Sequence, residues 1–273
     1  ELTVEANKRT FIFSKKDGQL KGVSVDNRKI SFANGPRFIG ARRADRSLDQ
    51  FYNHDDEKAK EKDRTYSEFP DAAVFTKLDV KEDGGNLVVT ANYKLGNLDK
   101  AQWTINPSGD LALDYTYNFS GVVDLMGIRF DYPEDQVISK RWLGAGPYRV
   151  WQNRIHGTQY DVWENDYNDP IPGETFTYPE FKGYFGDVSW MNIQTKEGTI
   201  SLTNETPDAY IGVYQPRDGR DRLLYTLPES GISVLNVIPP VRNKVNSTDL
   251  CGPSSQPKWV NGPQTGRVIF RFM

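Results

Sequence analysis

Positions 141–154 gather the residue types best able to do chemistry in this chain: Arg141-Trp142-Leu-Gly144-Ala-Gly146-Pro147, then Tyr148-Arg149-Val150-Trp151-Gln152-Asn153-Arg154. Trp and Tyr rings offer flat apolar faces on which the C–H face of a sugar ring can stack. Arg and Asn side chains beside them supply oriented hydrogen bonds, so the run has the makings of a sugar subsite. An equally direct reading is a strand whose large residues pack in a core while its arginines face solvent. The pattern alone leaves both open.

Other chemistries find less to work with. Glycoside hydrolysis needs two carboxylates flanking the scissile bond, about 5–5.5 Å apart for retention and wider for inversion. Glu164, Asp166, Glu174 and Glu180 lie in an aromatic-rich stretch, but with 37 acidic residues in the chain several fall near any cleft by chance. No spacing fixes two of them across a pocket, and no catalytic residue is assigned. His54, Asp55, Asp56 and His156 are the potential metal ligands. They form no HExxH or Cys/His array, and successive side chains in His-Asp-Asp point in different directions. A serine nucleophile would want a GxSxG elbow, which is absent. Gly144-Ala-Gly146 is no phosphate cradle, because Pro147 lacks the N–H such a loop would use and Arg149 stands in place of the third glycine. No cofactor and no metal are expected.

The residues around these candidates bound the answer further. The 273 residues hold 34 Lys+Arg against 37 Asp+Glu, a net charge of −3, so no basic excess points to a nucleic-acid partner. No apolar run approaches the roughly 20 residues that span a bilayer, and no charged-then-apolar leader opens the sequence. Cys251 is the single cysteine and cannot form an internal disulfide. Aromatics reach 12%, and 23 Gly with 16 Pro interrupt the chain at short intervals, which suits many strands joined by turns.

Those strands are legible from a period of two. Leu87-Val-Val89-Thr-Ala91-Asn-Tyr93-Lys-Leu95 and Leu111-Ala-Leu113-Asp-Tyr115-Thr-Tyr117-Asn-Phe119 place odd positions on an apolar face. Asn106-Pro-Ser-Gly109-Asp110 turns residues 103–105 back onto Leu111, and Lys16-Asp17-Gly18 does the same between 11–13 and Leu20. Further strands are predicted at 23–25, 200–203, 232–237 and 268–272, and no window shows a helical period. Residues 45–63 read as a charged solvated loop, and 161–185 and 243–265 as long irregular stretches of the kind that often carry function. No linker divides residues 1–273, so a single domain is expected.

Three segments together resemble the C-terminal β domain of family 2 glycoside hydrolases of the β-galactosidase type. Residues 142–154 look like that domain's Gly-Arg-Gly-Pro-x-Glu-Asn-Tyr-x-Asp-Arg signature. Tyr178-Pro179-Glu180-Phe181-Lys182-Gly183 through Asp187-Val188-Ser189-Trp190 is similar to its Pro-Gln-Glu-x-Gly…Asp-Val-Arg-Trp segment. Cys251-Gly252-Pro253 through Trp259 sits where the family has a Gly-Gly-Asp-Asp-Ser-Trp-like loop. Near the start, Gly35-Pro36-Arg37-Phe38 and Arg43-Ala44 also fit, although Asp45-Arg46 replaces the family's acidic Thr-Asp-Asn-Asp run.

The resemblance implies an all-β fold, a two-sheet antiparallel β-supersandwich of the galactose-mutarotase-like type. In the family the catalytic glutamates belong to a separate TIM barrel, which alone takes ~250 residues. It therefore implies a domain of a larger glycosidase, inactive in isolation, with that barrel and an oligosaccharide or glycoside as partners. Secretion or a periplasmic location follows by the same analogy. The loop matching Trp259 lends a Trp to the substrate platform in the β-galactosidases. Together with the aromatic–cationic run, the carbohydrate-binding candidates are Trp259, Trp151, Tyr148, Arg149, Arg154 and Glu180. Competing expectations on the same fold are an aldose 1-epimerase, which would need His54 or His156 as acid, a carbohydrate-binding module, and a purely structural packing domain.

Overall fold

The computed structural model describes residues 1–43, 66–167, 183–214, 227–241 and 252–273. Among them the chain forms two antiparallel sheets of nine strands each. The first contains, in spatial order, β1 (Leu2–Ala6), β2 (Arg9–Phe13), β3 (Leu20–Val25), β5 (Ala33–Arg43), β11 (Leu125–Asp131), β17 (Ile232–Val237) and β16 (Tyr210–Val213). Two short strands join it, β4 (Arg28–Ile30) on β3 and β6 (Tyr66–Glu68) on β5. The second runs β13 (Gln159–Asp166), β12 (Val137–Gly146), β14 (Trp190–Thr195), β15 (Gly198–Asn204), β18 (Lys258–Phe272), β10 (Leu111–Val123), β9 (Leu98–Ile105), β8 (Asn86–Lys94) and β7 (Val74–Asp83). The expected all-β, two-sheet antiparallel sandwich is what the chain adopts.

The hairpins follow from their turn residues. Phe13 pairs with Leu20 around Gly18, whose φ of 73° only glycine adopts freely. Ile105 pairs with Leu111, and the Asn106 carboxamide accepts the Asp110 N–H at 2.9 Å to close the turn. Odd residues of β10 point between the sheets, where Leu111, Leu113, Tyr115 and Tyr117 meet Phe38, Phe130, Phe270 and Phe272 in one large aromatic core. Gly266 makes room for it, because a Cβ there would stand 2.2 Å from the Tyr115 hydroxyl. Glu197, in the turn between β14 and β15, ties the sheets together. It accepts from the Ser31 N–H at 2.8 Å, the Ser31 hydroxyl at 2.6 Å and the Tyr132 hydroxyl at 3.0 Å.

A second, smaller core lies on the other face of the first sheet. Ile39 and Ala41 of β5, Leu125 of β11 and Leu235 of β17 alternate with residues of the main core, so they face away from it. They are covered by Val150, Trp151, Tyr184, Ile238 and Val241. The centre of the first sheet is therefore buried on both faces.

Three expectations need correction. Residues 161–166 belong to strand β13 and are not an irregular stretch, and β18 begins at Lys258, inside the stretch 243–265. Leu95 lies in the turn after β8, exposed and at a φ of 58°, not on that strand's apolar face. The 45–63 loop, His54, Asp55, Asp56, Glu174, Glu180 and Cys251 lie outside the described residues.

Candidate functional site

The aromatic–cationic run folds inward. Trp142, on β12, is fully buried in the main core, 4.8 Å edge-on from Phe185, and its indole N–H donates to the Ala145 carbonyl at 3.0 Å. Gly144 and Gly146 are glycines because of what packs on them: a Cβ at 146 would stand 2.3 Å from the Trp163 ring, and one at 144 would press on the backbone at 186–188. Past the strand, Val150 pairs with Tyr184 in an isolated bridge, which turns Trp151 onto the outer face of the first sheet. There it meets the Tyr184 ring edge-on at 5.7 Å and is only 1% exposed.

Two carbohydrate-binding assignments fall on this geometry. A sugar stacks only on an accessible ring face, and Trp151 has none, so it is a core residue. Arg149 is likewise 1% exposed, its guanidinium 5.6 Å from the Phe185 ring centroid in a cation–π contact. It is neither the solvent-facing arginine of the plain-strand reading nor a surface hydrogen-bond donor. Its charge is felt at Tyr167, whose phenol burial and the hydrogen bond to Glu134 nonetheless hold above its ordinary range. Lys140, also buried, donates to the Asp166 carbonyl at 3.0 Å and lies 4.9 Å over the Tyr167 ring. Tyr148 and Arg154 are half-buried: the Tyr148 hydroxyl donates to the His156 carbonyl at 3.3 Å, and the Arg154 backbone pairs with Trp151.

Trp259 has the opposite environment. It is the second residue of β18 and stands 71% exposed. Over 258–266 this strand has one strand partner among the described residues, β10, because β15 pairs with it only from Val268 onward. Strand β9 in turn leaves β10 at Tyr117. Residues 119–123 and 258–262 thus continue beyond the sheet as a two-stranded ribbon. Phe119 fixes its inner face, stacking 6.0 Å from Phe38 and packing 5.1 Å from Phe69. Val122 and Trp259 pair directly and share the outer face with Ser120 and Asn261, whose side chains hydrogen-bond at 2.8 Å. At the ribbon's end the buried Asp124 carboxylate accepts the Arg43 N–H at 2.9 Å. Among the described candidates Trp259 is thus the one exposed indole, on a ribbon braced by Phe119, while Tyr148 and Arg154 are half-buried and Trp151 and Arg149 are buried.

No group of three or more His, Cys, Asp or Glu among the described residues is placed to hold a metal ion, and no helix among them is long and apolar enough to cross a membrane. Two hollows of about 350 Å³ lie elsewhere, one among Asn7, Lys8 and Asp26 and one among Lys100, Asp114, Glu205 and Arg267.

This sandwich is of the galactose-mutarotase-like class. It superposes on a galactose 1-epimerase from Lactobacillus acidophilus with a TM-score of 0.51 at 10% identity, covering 99% of this chain and 93% of that one. An α-N-acetylgalactosaminidase from Bifidobacterium bifidum aligns at a TM-score of 0.47 and 11% identity, and there the chain spans only 36% of the other protein's length. A galactose mutarotase-like protein from Lactobacillus casei aligns at a TM-score of 0.44 and 12% identity, over 100% of this chain and 99% of that one. No curated protein sequence matches. The family described as "Beta galactosidase small chain" matches residues 5–246, and the chain belongs to it.

Proposed function

We propose that this chain is the non-catalytic, carbohydrate-interacting part of a glycoside hydrolase, acting as one unit that lends Trp259 to a sugar site whose catalytic groups stand on a separate TIM barrel. The observation that carries the reading is the exposure of Trp259 on a braced ribbon. Leaving a large apolar side chain in water forgoes about 1.5–3 kcal/mol of burial, and a rigid mount makes an aromatic face useful as a platform. Family membership supports a galactoside as the substrate class. An epimerase-like chemistry would need a histidine acid, and the one histidine among the described residues, His156, stands exposed in the turn between Tyr148 and β13.

The test is activity toward aryl-β-galactosides and free galactose, measured on the chain alone and on the assembled glycosidase. The expected result is hydrolysis by the assembly only. Hydrolysis or mutarotation by the 273 residues alone would overturn the proposal.

A further inference from the structure

Gln152 and Asn153 stand side by side, and each holds a different end of the chain that leads into β18. The Asn153 carboxamide donates to the Val241 carbonyl at 3.0 Å and accepts the Val241 N–H at 2.9 Å, as a strand partner would. The Gln152 N–H donates to the Pro239 carbonyl at 3.1 Å. Its side-chain amide donates twice, to the carbonyls of Ser254 at 2.8 Å and Gln256 at 2.7 Å. Gln256 lies three residues before Trp259. These bonds cross 87 to 104 residues of sequence, so none of them is a by-product of a local turn.

We propose that Gln152 is the positioning residue for Trp259, and that Gln152-Asn153 is a clasp fixing where the ribbon leaves the sandwich. The functional half of this rests on the reading of Trp259 as a sugar platform. Glutamine suits the place because one NH₂ carries two protons for two carbonyls, and the residue is buried, where an unmade bond is costly. Methionine matches its length without donating, so Gln152→Met removes the clasp and keeps the packing.

The experiment uses the chain labelled with 5-fluorotryptophan, the Trp259 resonance being assigned with Trp259→Phe. Gln152→Met is expected to broaden or split that resonance and to speed amide exchange across 258–262 about tenfold or more, leaving the Trp103 and Trp142 signals in place. In the assembled glycosidase it should lower kcat/KM for an aryl-β-galactoside about tenfold. An unchanged Trp259 signal and unchanged exchange would overturn the clasp, whatever the kinetics. A moved signal with kinetics that respond to Trp259→Ala but not to Gln152→Met would overturn the positioning role. A moved signal with kinetics indifferent to both would overturn the sugar-platform reading and leave the clasp standing. Should Gln152→Met not fold, the wild-type side-chain amide of Gln152 decides: its protons should exchange at least about tenfold slower than those of a free glutamine, and exchange at the free rate would overturn the proposal.

Discussion

Trp151 and Trp259 are joined through one glutamine, yet one indole is sealed in a core and the other stands in water. Both occur in segments rich in aromatic, glycine and polar residues, and a sugar subsite could be read into either. What separates them is the number of neighbours around the backbone. The segment carrying Trp151 folds over a sheet face that would otherwise be bare, and its large residues close that face. The strand carrying Trp259 has outrun its partners on one side, and among the described residues nothing covers its outer face. Residue type alone does not distinguish an anchor from a platform; the layers around it do.

The largest effect that sharpens this contrast is expected at Trp151. Trp151→Ala should lower the unfolding free energy by about 3–5 kcal/mol in urea titration. A loss under about 1 kcal/mol would remove Trp151 from the core. Trp259→Ala should show the reverse profile: a fall of roughly 10–100-fold in kcat/KM of the assembled glycosidase, about 1.4–2.8 kcal/mol, with the chain's own stability unchanged within about 0.5 kcal/mol.

Glu197 probes the interior by pH. Burial alone would raise its carboxyl, but the hydrogen bonds from Ser31 and Tyr132 outweigh that and hold it below the model-compound 4.5. Its contribution is therefore complete above pH 4.5 and is lost as pH falls through the lower folded value. Glu197→Gln should cost about 1 kcal/mol at pH 7, a modest figure because the group is only partly buried. The gap between the two proteins should close under acid. The smallest effect is expected on the surface of β12 and β13, where Arg141 and Glu164 lie 3.9 Å apart and well exposed. Arg141→Ala should change stability by less than about 0.5 kcal/mol.

Where one face of a strand is wet and the other dry, the sequence announces it, and β8, β10 and both turn-marked hairpins were legible for that reason. Strand β13 was not, because at the edge of the described sheet one of its faces is exposed throughout and the other is covered only at Trp163 and Asn165, which leaves no sustained apolar alternation to show. The start of β18 was hidden by Gly262 and Pro263, which argue against a central strand. They are tolerated here because, among the described residues, the strand has a partner on only one side at that point. Of the site, Trp259 came from a resemblance, and its mount was misread as a loop. The inward turn of Trp151 and Arg149 was invisible, since what buries them comes from strands and bridges more than 30 residues away in sequence.

Anchoring both Val241 and Gln256 to one dipeptide also separates the ribbon from whatever lies between them. Joining two fixed points through a longer stretch of flexible chain costs little, only about 0.6 kcal/mol for each doubling of its length. Residues inserted or removed between 242 and 251 should therefore leave Trp259 where it is. A reporter or affinity tag placed there is expected to leave the indole unmoved, so that the ribbon can be watched from a point to which it is not mechanically coupled.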